Sequence, residues 1–100
     1  MSDWIGVDFD GTLAHSGTGA PVPAMVERVK RMLADGKRVK IFTARADRGE
    51  DIKQIADWLT SHGLPPLTIT NIKDSEMVAF YDDRAIAVER NTGAILGGKE

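Results

Sequence analysis

The chain has 100 residues, 42% hydrophobic and 28% charged, enough to close one core and too few for a second lobe. That balance excludes a disordered tail, and the apolar runs fall far short of the roughly 20 residues that span a bilayer. A net charge of −2 offers no basic field for nucleic acid, and the lack of cysteine excludes disulfides, thiolate metal sites and a cysteine nucleophile. A cytoplasmic, single-domain protein over 1–100 is expected, because Met1-Ser2-Asp3-Trp4 carries neither the basic nor the apolar segment of a secretory signal.

Trp4–Phe9 (WIGVDF) is a short apolar, β-rich run stopped at Asp10-Gly11. A Gly/Pro/Ser-rich loop, His15–Pro23, follows and leads into a helix that Pro23 is suited to open. Met25, Val26, Val29, Met32 and Leu33 recur at helical spacing until Gly36. Arg38–Phe42 reads as the second strand, and Arg48–His62 as a second amphipathic helix with Ile52, Ile55, Ala56 and Leu59 on one face. Leu67–Thr70 and Met77–Tyr81 read as the third and fourth strands. Ala85–Glu89 and Ala94–Leu96 flank Asn91-Thr92-Gly93 as a terminal hairpin.

Strands alternating with helices predict an α/β, Rossmann-like parallel sheet with helices on both faces. Ligands of such sheets sit at the carboxyl ends of the strands, where the strand order reverses. The residues just past those ends are Asp8 and Asp10, Thr43, the Asn71–Lys73 stretch, and Asp82 with Asp83. Carboxylates converging on one edge repel one another unless a cation sits among them, and oxygen-only ligands favour a hard ion, Mg²⁺. A lysine and a threonine hydroxyl beside them suit phosphoryl oxygens, and the Asp10-Gly11-Thr12 turn would let backbone N–H groups approach the same oxygens. Of Asp8 and Asp10, one can attack phosphorus and the other can protonate the leaving group and then activate water. A calcium loop also begins Asp-x-Asp-Gly, yet Thr12-Leu13-Ala14-His15 supplies none of the further ligands that it needs.

Asp8-Phe9-Asp10-Gly11-Thr12 resembles the first signature of the haloacid-dehalogenase superfamily of aspartate-nucleophile phosphohydrolases. Ile41-Phe42-Thr43 resembles the second, Lys73 the third and Tyr81-Asp82-Asp83 the fourth, in the same order over residues 4 to 83. The resemblance implies a Mg²⁺-dependent phosphatase. Asp8 would form an aspartyl-phosphate, and Asp10 would be the general acid/base with its backbone carbonyl on the metal. Thr43 would bind a phosphoryl oxygen, Lys73 would balance the charge, and Asp82 and Asp83 would complete the metal site. The Lys73–Asp82 interval is shorter than in many members and leaves no room for a full helix. The segments that carry a cap domain in larger members are also too short for one here. An open site implies an exposed phosphate ester, or a homo-oligomer whose neighbouring subunit covers the pocket.

Arg45, and with it Arg48, is a candidate substrate contact, since a guanidinium fork suits phosphate; the alternative is a solvated helix cap. His15 is expected to be a solvated loop residue, with a substrate contact as the alternative, Trp4 and Trp58 to pack at core edges, and Arg84 to offset the acidic pair. A response-regulator receiver shares the residue types but places its acidic pair first and its phosphorylated aspartate mid-chain, the reverse of the order here. A catalytically silent binding module and a phosphotransferase of the same fold are the remaining alternatives.

Overall fold

The computed structural model describes residues 3–97. β1 (Trp4–Val7), β2 (Arg38–Phe42), β3 (Thr68–Thr70) and β4 (Met77–Tyr81) form one sheet in the order β3-β2-β1-β4, every neighbouring pair parallel. α1 (Pro23–Ala34) joins β1 to β2, and α2 (Gly49–Ser61) joins β2 to β3. The predicted α/β fold and all four strands are present. β1 ends two residues earlier than its apolar run, because the chain turns at Phe9, whose carbonyl accepts the N–H groups of Thr12, Leu13 and Ala14.

Strand alternation sorts the side chains. Ile5, Val7, Val39, Ile41 and Ile69 share one cluster with Val26 and Val29 of α1 and Ile55 and Leu59 of α2. Both helices therefore cover the same face of the sheet, where the sequence reading put helices on both. The physical reason is the strand order: β1→β2→β3 steps twice in one direction, and two right-handed crossovers made in one direction fall on one side. The return from β3 to β4 runs the other way and is only Asn71–Glu76, an irregular segment.

The second face carries Trp4, Lys40, Phe42 and Phe80. Trp4 is fully buried, with Lys40 Nζ 4.4 Å from its ring centroid and its indole N–H donated to Asp74 in the return segment (2.9 Å). Phe42 stands between Trp4 and Phe80, edge-on to the latter at 5.1 Å. Gly6 makes room for this tier, since a Cβ there would meet Met77 and Phe80.

The terminal hairpin is reduced to a single antiparallel bridge, Val88–Ile95, around a turn in which Asn91 adopts φ 70°. Its apolar residues Ile86, Val88, Ile95 and Leu96 stay exposed, so they supply no core contacts to extend the pairing. Among the described residues no helix is long and apolar enough to cross a membrane.

Ile41, on a central strand, sits within the core that both helices cover. Ile41→Ala, at a fully buried position, is expected to lower unfolding stability by about 2–5 kcal/mol, read as a fall in the urea midpoint. A loss below 1 kcal/mol would place the core elsewhere.

Candidate active site at the carboxyl edge of the sheet

Because every strand is parallel, every carboxyl end lies on one edge, and the strand order reverses between β1 and β4. Val7 pairs with Tyr81, and the Asp8 N–H donates to the Tyr81 carbonyl (2.9 Å), so the next residues of the two strands, Asp8 and Asp82, emerge side by side. Carboxylate oxygens of Asp8, Asp82 and Asp83 all lie within 4.8 Å of one another. Residues 74 positions apart in the chain are thus joined by sheet register alone.

The turn after β1 closes over this cluster. Gly11 has φ 86°, and a Cβ there would sit 2.7 Å from Asp83 Oδ2, so the backbone approaches the carboxylate as only glycine allows. The buried Thr12 hydroxyl donates to Asp83 Oδ1 (3.2 Å) and lies 3.5 Å from Asp8 Oδ2. The expectation that Gly11 and Thr12 present backbone N–H groups to phosphate is not met. Both amides are consumed inside the turn, Gly11 to the Ala14 carbonyl (2.8 Å) and Thr12 to the Phe9 carbonyl (3.2 Å).

Crowding marks the electrostatics. Burial, then hydrogen bonds to Asp82 and Asp83 and the charge of Asp82, push the Asp8 carboxyl up from 3.8 to about 7. Asp83 moves down: desolvation opposes this, but the hydrogen bonds from Asp8 and the Thr12 hydroxyl outweigh it. The shared proton therefore rests on Asp8. A cation among the three carboxylates would displace that proton, and the all-oxygen donor set suits a hard divalent ion such as Mg²⁺.

Thr43 ends β2 at the same edge and is buried; its hydroxyl accepts the Arg45 N–H (3.2 Å), capping the short 3-10 turn Ala44–Asp47. Arg45 reaches back across the edge. Its guanidinium bonds Asp10 (3.0 and 3.2 Å), Asp51 (3.1 Å) and Gln54 (3.1 Å), and despite desolvation the two carboxylates raise its pKa. Asp10 consequently points its carboxylate at Arg45 and not into the cluster of three. Asp8, Asp10, Thr43, Arg45, Asp82 and Arg84 line a cavity of about 330 Å³ walled by Phe42 and Phe80.

Lys73 belongs to the return segment and lines, with Met77, an adjoining cavity that shares Phe42 and Phe80 with the first. Arg84 occupies the site cavity instead, as a cation beside Asp82, whose carboxylate accepts the Arg84 backbone N–H (3.1 Å). Sequence reasoning missed two supports of Arg45, namely Asp51 and Gln54. Their i, i+3 spacing at the start of α2 puts both on one helix face, which was the available signal.

No protein-family model matches the chain, and no curated protein does. A solved structure described as the conserved protein coded by a locus of Bacteroides thetaiotaomicron is similar in fold. It is 24% identical, with a TM-score of 0.68, over 85% of this chain and 78% of that one. At that identity the likeness shows the α/β fold.

The raised Asp8 pKa makes folding proton-dependent. Native Asp8 binds a proton between pH 3.8 and about 7 where the unfolded chain does not, so its contribution is full below that window and is lost as pH rises through about 7. In chelator, Asp8→Asn is therefore expected to raise Tm relative to the parent at pH 8 and by much less at pH 5. Equal shifts at both pH values in thermal melts would refute the crowding. In the same melts, Gly11→Ala is expected to lower Tm by several degrees, through its left-handed φ and its collision with Asp83.

Proposed function

We propose that this chain is a Mg²⁺-dependent phosphohydrolase of the haloacid-dehalogenase type, acting on a phosphate monoester through an aspartyl-phosphate. One observation carries the reading: the carboxylates of Asp8, Asp82 and Asp83, from opposite ends of the chain, meet within 4.8 Å at the topological switch point. Asp8, Asp82 and Asp83 would hold the ion, together with the Asp10 carbonyl that the family resemblance implies. When bound, Mg²⁺ supplies positive charge that keeps these carboxylates ionised and offsets charge on the phosphoryl oxygens.

The chain's own groups do the rest. The Asp8 carboxylate attacks phosphorus, the P–O bond to the alcohol breaks, and Asp10 gives the departing oxygen its proton. Asp10 then takes a proton from water as that water attacks the aspartyl-phosphate, releasing phosphate and restoring Asp8. In the resting structure Asp10 is held by Arg45 at 3.0 Å, so the acid step requires Asp10 to leave that partner. The Thr43 hydroxyl is positioned to donate to a phosphoryl oxygen, since its bond to the Arg45 N–H uses a lone pair and not its proton. Arg84, on the wall of the same cavity, supplies the positive charge that the resemblance assigned to Lys73. The Cys-free composition suits a cytoplasmic setting.

Wild-type protein is expected to hydrolyse 4-nitrophenyl phosphate with Mg²⁺ and to stop when the metal is chelated. Asp8→Asn should abolish turnover, and Asp10→Asn should cost about 10²–10⁴-fold in kcat. Near-normal turnover by Asp8→Asn would remove the nucleophile and with it the reading; no turnover by the wild type on a panel of phosphate esters would favour the silent binding module.

A further inference from the structure

A second cavity of about 290 Å³ opens beside the first, between the loop after β1 and the face of α2. The two share Asp10 and Arg45 as a common wall. Resting on the phosphohydrolase reading, this places the second cavity on the side of the residue that protonates the departing alcohol. Its lining is chemically distinct from the acidic cluster. Phe9 and Trp58 form an apolar wall, packed edge to face at 5.0 Å, with the Trp58 indole N–H fixed to the Gly19 carbonyl (2.7 Å).

Two polar side chains face the same space with roles set by their bonds. His15 Nδ1 accepts the Gly17 N–H (3.0 Å), so the neutral ring carries its proton on Nε2 as a donor. Gln54 Oε1 accepts from Arg45 (3.1 Å), which leaves its amide nitrogen as a donor. In the resting structure Arg45 is engaged by Asp10 and Asp51, which leaves His15 and Gln54 as the donors that face a ligand there. Neutral donors against a rigid aromatic wall suit hydroxyl and ether oxygens on an apolar ring, and the volume admits one ring beside the phosphate.

We propose that this cavity binds the alcohol half of the substrate, and that this half is an uncharged hydroxylated ring, the sugar of a hexose phosphate or of a nucleoside 5′-monophosphate. His15, for which the sequence offered a substrate contact as the alternative to a solvated loop residue, becomes a contact to that ring together with Gln54.

The two tryptophans make the test direct, because Trp58 lines the cavity while Trp4 is buried on the opposite face against Asp74. ¹⁵N-labelled Asp8→Asn protein with Mg²⁺ is titrated with glucose 6-phosphate, AMP and inorganic phosphate, and the indole N–H signals are followed. Saturable movement of the Trp58 signal with glucose 6-phosphate or AMP, and not with inorganic phosphate, is expected; whichever arm responds identifies the source of the ring. Gln54→Ala in that background should weaken the response at least fivefold. In the wild type, Gln54→Ala and His15→Ala should each lower kcat/KM for the responding ester at least fivefold more than for acetyl phosphate. A Trp58 signal unmoved by both arms, or moved equally by inorganic phosphate, overturns the proposal, as does tighter binding of fructose 1,6-bisphosphate. Trp58 movement without turnover of any ester supports the cavity and overturns the phosphohydrolase reading alone.

Discussion

Three like charges brought within one ion's reach are the constraint around which this small fold is organised. Left to themselves, Asp8, Asp82 and Asp83 repel, and the consequence is visible in the proton that Asp8 retains up to about pH 7. A fold built only for stability would separate them. Here instead the register of two parallel strands, a left-handed glycine and a buried threonine hydroxyl all act to keep them together. Such an arrangement costs stability through like-charge repulsion.

Arg45 is the second organising group. It ties the loop after β1 to the first turns of α2 through Asp10, Asp51 and Gln54, and its guanidinium also lies over the Phe9 ring at 5.7 Å. One side chain thereby forms a wall of both cavities and sets the position of Asp10. Its location just after Thr43 means that β2, the 3-10 turn and α2 deliver a hydroxyl and a cation to the same edge.

Much of this was legible in the sequence because it is local. Apolar runs closed by Asp-Gly, Thr and Asp-Asp gave four strands and the acidic edge, and the helices followed from their periodicity and from Pro23 and Gly36. What was not legible depends on the order of strands in space. That order puts both helices on one face, and no periodicity in α1 or α2 encodes it. The engagement of the Gly11 and Thr12 amides within their own turn, and the setting of Lys73 in another cavity, likewise depend on tertiary placement. The hairpin signal at Asn91-Thr92-Gly93 was real, but turn chemistry without a buried face yields one bridge and not two strands.

The indole of Trp4 fastens the return segment from beneath the sheet. Asp74, its partner, lies eight residues before Asp82, so a contact at the end of β1 opposite the carboxylates holds the segment that leads into β4. Damage at that remote anchor would register first in the spacing of Asp8 and Asp82, with the helical layer still intact.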